Sequence, residues 1–171
     1  MLTNINPLLT PELLYVLALM GHGDEITVVD ANFPADSVAR RTGHGSVVTL
    51  AGASATEAVQ AILSVLPLDD FVDEPVRTMA APPPAAIGPG PSAPGGLAPV
   101  QEEVQRLVDA SAGRHWPLGR VERFAFYEAA AGSYAVVLTS ERRLYGNFLL
   151  KKGVVPPQAQ EGATPGAAGQ R

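Results

Sequence analysis

The chain has 171 residues and a mass of 17.8 kDa, with 12 Lys and Arg against 17 Asp and Glu and a formal net charge of -5. Hydrophobic residues make up 46% of the chain and charged residues 17%, which excludes disorder throughout and predicts a globular domain with a real core. The chain has no basic stripe and no apolar run near the roughly 18 residues of a membrane span, so the composition argues against nucleic acid and membrane as partners.

The first half of the chain predicts two rounds of helix and strand. Capping and hydrophobic patterns predict a helix from Thr10 to Met20, strands over 25–30 and 46–50, and a helix from Ser54 through Leu63. Thr10 supplies a hydroxyl cap before Pro11, and Ser54 forms a capping box with Glu57.

The second half continues the alternation. It predicts a strand over 76–79, an amphipathic helix over 100–112, a strand or extended lead over 120–124, a short helix over 125–131, and strands over 134–138 and 147–150. Strands that alternate with helices indicate a single α/β domain over residues 1–153, built as three α/β/α layers around a largely parallel sheet.

Two segments have a composition that does not favour a packed core. Residues 82–99 contain seven Pro, four Gly and no charged residue, which predicts a flexible insertion in the domain. Residues 157–171 form an Ala-, Gly-, Gln- and Pro-rich tract without periodicity, which predicts a disordered C-terminal tail.

Two features favour a cytoplasmic protein. The chain has no cysteine, so disulfides, a thiolate nucleophile and cysteine-type zinc sites are excluded. No Lys or Arg precedes Arg40, so the positive region of a secretory signal peptide is missing from the beginning of this sequence.

The first candidate site segment is a Gly-His-Gly-Asp sequence at residues 21–24. It presents His22 between two glycines just before a buried strand, and Asp30 stands at the carboxyl end of that strand, where α/β sheets usually bind ligands. His and Asp also serve as ordinary turn and cap residues, and His44 has the same glycine flanks in a predicted loop. The spacing alone leaves both interpretations open.

Two further segments combine polar and aromatic residues. Arg123 precedes an aromatic cluster at 124–127, a pattern that is also typical of a core, and Tyr145-Gly146-Asn147 forms a turn before the last strand, where Gly-Asn is ordinary turn chemistry. Zinc spacing, a phosphate-binding loop, a dinucleotide fingerprint and a nucleophile elbow are all absent from the sequence. The remaining imidazole, carboxylates, guanidinium, phenol and amide suit the hydroxyl groups of a sugar, without a metal or cofactor.

Five blocks of the chain, in order from about residue 8 to residue 153, carry a family resemblance. They are residues 10–14, 20–26, 30–34, 123–128, and 145–147 with 150–153. Together they closely resemble the L-fucose mutarotase family, which also includes D-ribose pyranase. The family usually has Arg-Ala-Asp-Gly where this chain has Thr-Leu-Ala-Gly at 49–52, a difference that bears on the choice of sugar more than on the reaction.

The resemblance implies an isomerase that interconverts the α and β anomers of a free aldose, with L-fucose as the expected substrate and no cofactor. It assigns proton transfer to His22 and sugar binding to residues of the other blocks, namely Asp30, Arg123, Tyr145, Gly146 and Asn147. Asp24 is a candidate to orient the imidazole. The family also implies a ring-like homo-oligomer, often a decamer. D-ribose pyranase activity and a non-catalytic sugar-binding module are the alternatives.

Overall fold

The computed structural model describes residues 2–81 and 96–155. Residues 82–95 of the predicted insertion and the whole predicted tail lie outside the described residues. The elements, in chain order, are α1 (Pro11–Leu19), β1 (Glu25–Val29), α2 (Ala35–Ala39), β2 (Val47–Leu50), α3 (Ala55–Leu63), β3 (Val76–Met79), α4 (Pro99–Ala112), β4 (Gly119–Val121), α5 (Arg123–Ala131), β5 (Ala135–Thr139) and β6 (Phe148–Lys151).

The strands form one mixed sheet in the order β2-β5-β1-β6-β3-β4. Parallel pairs join β2 to β5, β5 to β1 and β3 to β4, whereas β6 runs antiparallel to its neighbours β1 and β3. Five of these strands therefore share one direction, which confirms the prediction of a largely parallel sheet.

Helices cover both faces of the sheet. The alternation of side chains along β1 sends Ile26 and Val28 toward the core beneath α1, α3 and α4, and Val29 toward the core beneath α2 and α5. Phe126 of α5 is fully buried in the second core. The α/β/α layering is thus confirmed.

The helix caps predicted from the sequence form as expected. The Thr10 hydroxyl accepts a hydrogen bond from the backbone N–H of Leu13, and both hydrogen bonds of the capping box between Ser54 and Glu57 are present. Gly113 ends α4 with a φ of 64°, a left-handed conformation that glycine adopts without strain.

The structure corrects two local predictions. Helix α2, which covers only five residues, was not predicted, because such a short helix shows little of a helical period. The extended lead predicted over 120–124 ends early, at Val121, because the carboxylate of Glu122 accepts hydrogen bonds from the N–H groups of Phe124 and Ala125 and starts α5 at Arg123.

The direction of β1 separates the predicted site residues between two edges of the sheet. Asp30 follows β1 at the carboxyl edge, and Asn147 lies at the same edge because β6 runs in the opposite direction. His22 precedes β1 and lies at the amino edge. Among the described residues, no helix is both long and apolar enough to cross a membrane.

Candidate functional site

At the carboxyl edge, Asp30 and Asn147 form a buried pair. The side-chain amide of Asn147 donates from Nδ2 to Asp30 Oδ2 at 2.8 Å, and its Oδ1 accepts from the Asp30 backbone N–H at 3.0 Å. The N–H of Asn32 donates to Asp30 Oδ1 at 3.0 Å. Each residue thereby fixes the rotamer of the other.

Burial governs the acidity of this carboxylate. Desolvation raises the pKa of Asp30 above its ordinary value, and hydrogen bonds from Asn32, Asn147 and Gly146 lower it by less. Gly146 must stay small, because a Cβ at this position would come within 2.8 Å of Glu141 Cγ. The glycine of the predicted turn therefore leaves room for the side chain of Glu141.

Tyr145 and Arg123 line one pocket, and Tyr145 stands two residues before Asn147 in the chain. The pocket has a volume of about 430 Å³ and is lined by Ala80, Ala81, Glu122, Arg123 and Tyr145. Tyr145 is half-buried and has a φ of 65°, a conformation that is uncommon for a residue with a Cβ. Arg123 is exposed in the first turn of α5, with its guanidinium carbon 4.6 Å from the centre of the Phe124 ring. We call Asp30, Asn147, Tyr145 and Arg123 the carboxyl-edge group.

At the amino edge, His22 is paired with an acid that the sequence analysis missed. Its Nε2 lies 3.2 Å from Oδ1 of Asp69, whose side chain is 4% exposed, whereas the imidazole is 49% exposed. The ring of Phe71, an exposed side chain, stands edge-on to the imidazole with the ring centres 5.5 Å apart. We call His22, Asp69 and Phe71 the amino-edge group.

The predicted orienting residue, Asp24, contacts the backbone and not the imidazole. Its Oδ2 accepts from the N–H of Gly21 at 2.7 Å, so Asp24 closes the turn that presents His22. Asp69 is the acid that contacts the ring. Asp24 is two residues from His22 in the sequence, whereas Asp69 lies 47 residues away and no motif connects it to the histidine.

The end of β6 holds the turn that carries His22 beside the segment that carries Asp69 and Phe71. The N–H of Gly23 donates to the carbonyl of Lys152, and the N–H of Gly153 donates to the carbonyl of Pro67, each at 2.8 Å. A Cβ on Gly153 would collide with the carbonyl of Leu68. The block at 150–153 therefore links the His22 turn to the segment that carries Asp69.

A single chain does not bring the two groups together. The five residues of β1 lie between Asp24 and Asp30, and at about 3.3 Å per residue they separate the edges by on the order of 17 Å. This span exceeds the width of one monosaccharide. The residues predicted for one site thus occupy two places on the same molecule.

Comparisons with known proteins agree over nearly the whole chain. The sequence profile of the RbsD / FucU transport protein family matches residues 3–155. The chain is 44% identical over 160 residues to the fucose mutarotase of Danio rerio, covering 93% of this chain and 97% of the relative.

Two solved structures share the fold. One is a putative sugar binding protein that is 47% identical to this chain, with a TM-score of 0.82 over 91% of this chain and 97% of the other. The second is the fucose mutarotase of Streptococcus pneumoniae in complex with L-fucose, which is 30% identical, with a TM-score of 0.76 over 91% of this chain and 100% of the other. On sequence and fold together, the chain belongs to the RbsD/FucU family.

Proposed function

We propose that the protein is an isomerase that interconverts the α and β anomers of a free aldose, with L-fucose as its substrate. The observation that carries the proposal is the half-exposed imidazole of His22, which a buried carboxylate holds at 3.2 Å. His22 occupies the position that the family resemblance assigns to proton transfer, and the relatives named above are a fucose mutarotase and a mutarotase bound to L-fucose.

The chemistry needs one group that accepts and returns a proton. Ring opening moves the proton of the anomeric hydroxyl to a base as the bond from the anomeric carbon to the ring oxygen breaks and the ring oxygen takes up a proton. After rotation about the bond next to the carbonyl, the reverse transfers close the ring on the opposite face. An imidazole, whose ordinary pKa is about 6.5, serves as base and then as acid near neutral pH.

The pairing with Asp69 selects the nitrogen that performs this transfer. A carboxylate beside Nε2 favours the tautomer that carries its proton on Nε2 and donates it to Asp69. Nδ1 then holds the lone pair and acts on the sugar. Asp69 also stabilises the imidazolium that forms during the reaction.

The carboxyl-edge group supplies the hydrogen bonds that hold the sugar. The Asp30 carboxylate accepts from a sugar hydroxyl, the Arg123 guanidinium donates, and the Tyr145 phenol does either. Gly146 allows the turn that carries Tyr145 and Asn147 to pack against Glu141 without a clash. These groups orient the ring but carry no proton of the reaction.

A complete site then requires two copies of the chain. Because β1 keeps the two groups on the order of 17 Å apart, the His22 of one copy has to face the Asp30 of another. We infer a homo-oligomer in which this contact repeats from copy to copy. Because the contact joins two different surfaces of the chain, its closed form is a ring. The cysteine-free composition suits a cytoplasmic location.

Saturation-transfer NMR tests the activity. The protein is mixed in turn with L-fucose, D-ribose and galactose, and exchange between the anomeric proton signals is measured. We expect exchange with L-fucose, and His22→Gln, which removes the titrating group, should slow it by about 10²–10⁴-fold. Pyranose-furanose exchange confined to ribose would indicate a pyranase, and binding without exchange would indicate a non-catalytic module.

The matched control is His115→Gln. His115 is also an imidazole paired with an aspartate, since its Nδ1 lies 2.9 Å from Oδ2 of Asp109, and neither residue belongs to the amino-edge group or the carboxyl-edge group. The His115→Gln variant should exchange fucose anomers at the wild-type rate. A folded His22→Gln variant that kept the wild-type rate would disprove the role of His22.

A further inference from the structure

Gln101, in the first turn of α4, is a fully buried polar side chain that none of the family blocks contains. Its amide nitrogen donates to two backbone carbonyls, that of Met79 at 2.8 Å and that of Tyr145 at 3.0 Å. Its amide oxygen accepts from the N–H of Ala98 at 3.0 Å. The side chain is 0% exposed, so these bonds are made without competition from water.

The hydrogen bond to the Tyr145 carbonyl supports a residue whose backbone has a left-handed conformation. Tyr145 has a φ of 65°, and a residue with a Cβ keeps this conformation only where its surroundings enforce it. The carbonyl of Asn147, two residues further on, is held separately by the N–H of Met79 and the hydroxyl of Thr78. Gln101 therefore holds the opposite end of the same turn.

We propose that Gln101 is a positioning residue for sugar binding, acting through the carbonyl of Tyr145 to set the place of the phenol at the pocket. The inference rests on the proposed function, in which Tyr145 binds the sugar. Gln101 also joins the end of β3, through Met79, to the start of α4, through Ala98.

This role predicts a loss in binding more than in chemistry. Gln101→Met keeps the length of the side chain and removes its three hydrogen bonds. The turn at Tyr145 then samples other conformations, and the proton transfer at His22 is untouched once the sugar is bound. We expect the KM for L-fucose to rise on the order of 10-fold and kcat to change by less than about 2-fold, as befits a contact that affects ground and transition states alike.

The same helix offers a close control one turn further on. The amide of Gln105 donates to Asp109 at 2.7 Å and to the carbonyl of Trp116 at 2.8 Å, and its oxygen accepts from the N–H of Leu118 at 3.0 Å. Gln105→Met therefore also removes three hydrogen bonds but touches no residue of the pocket. It should lower the melting temperature and leave KM unchanged.

The experiment measures melting temperature, kcat and KM for the wild type and both variants, with L-fucose affinity from titration calorimetry as a readout independent of turnover. A rise in KM confined to Gln101→Met supports the proposal, and equal values of KM for both variants overturn it. If Gln101→Met does not fold, Gln101→Glu is used, since it keeps the acceptor for Ala98 but turns a carboxylate toward two carbonyls.

The Gln101→Glu variant should bind L-fucose more weakly than the wild type. Wild-type affinity in that variant, or failure of both Gln101 variants to fold while Gln105→Met folds, would show that Gln101 is a general core residue. A wild-type protein that binds L-fucose without exchanging its anomers would refute the proposed function. The role of Gln101 in binding would still be tested, because the calorimetric affinities of the wild type and the variants can be compared without turnover.

Discussion

Asp30 is a buried carboxylate whose ionisation the fold disfavours. Its raised pKa comes from desolvation, so its contribution to the free energy of unfolding is greatest at low pH, where the acid is protonated, and is lost as pH rises through the raised pKa. Ionising this buried acid therefore costs the folded state free energy. Hydrogen bonds from Asn32 and Asn147 offset part of that cost.

The raised pKa predicts pH-dependent sugar binding. As the pH falls toward the pKa of Asp30, the carboxylate gains a proton and loses capacity to accept a hydroxyl, so affinity for L-fucose should decrease. Calorimetry in the His22→Gln background isolates this effect from the imidazole. Adding Asp30→Asn should make the affinity low and independent of pH, and an affinity that rose toward acid pH would contradict the role of Asp30.

Asp69 is expected to act on rate through His22. Asp69→Asn keeps the shape but removes the charge that stabilises the imidazolium, so exchange should slow by at least about 10-fold while L-fucose affinity stays the same. Asp70→Asn, a change at the exposed acid next in the chain, is the control, and equal rates in the two variants would remove Asp69 from the mechanism.

At the scale of elements, one arginine connects the β5–β6 loop to helix α4. Arg143 donates to Glu141, which is 5% exposed, at 2.8 Å and to Glu103 of α4 at 2.7 Å. These hydrogen bonds lower the pKa of both glutamates and raise that of Arg143. The loop that carries the Tyr145 turn is thereby fixed to α4 by charge as well as by the Gln101 amide.

This network predicts an acid-sensitive part of the stability. Because the folded-state pKa of each glutamate lies below the ordinary value of 4.5, the stabilisation is present above about pH 4.5 and is lost as the pH falls through the lowered values. Arg143→Met should therefore lower the melting temperature at pH 7 and have less effect near pH 3. Arg142→Met, at the exposed neighbour, is the control, and a deficit in Arg143→Met that stayed constant across this range would argue against the network.

Local sequence signals were sufficient to predict a helix end where the capping residue lies within one turn of that end. The hydroxyl of Thr10, the capping box at Ser54 and the left-handed Gly113 each act within one helical turn, so their patterns are legible in the sequence. The start of α5 was misplaced because a glutamate, Glu122, acts as its cap, and glutamate is not among the residues that usually signal a helix start.

At the scale of the whole molecule, a site divided between copies predicts complementation. At L-fucose concentrations well below KM, His22→Gln and Asp30→Asn proteins should each exchange anomers much more slowly than the wild type. When the two are refolded together, a site that takes His22 from one copy and Asp30 from another is intact in about a quarter of random pairings. Anomer exchange should recover to roughly that fraction of the wild-type rate.

The control for complementation is a mixture of His22→Gln with a His22→Gln, Asp30→Asn double variant, which cannot form an intact pairing and should stay inactive. Light scattering on the wild-type protein checks the assembly directly. A stable monomer of 17.8 kDa that still exchanged fucose anomers would contradict the two-copy site.

The sequence by itself determined the class of fold and the chemical character of the candidate site. Alternating helix and strand patterns, caps and buried apolar runs act over a few residues, and they predicted the α/β/α layers. The family blocks predicted His22, Asp30, Arg123, Tyr145 and Asn147 as a set of site residues. Short-range physics and recognisable motifs suffice for both conclusions.

Tertiary structure alone decided which of these residues meet. Asp69 reaches His22 across 47 residues, and Gln101 reaches Tyr145 across 44, through contacts that no periodicity encodes. The sheet also keeps His22 and Asp30 at opposite edges, since a strand is a stiff spacer that holds its ends apart. Proximity between distant segments depends on how strands are ordered and directed, and that is settled only when the whole chain packs.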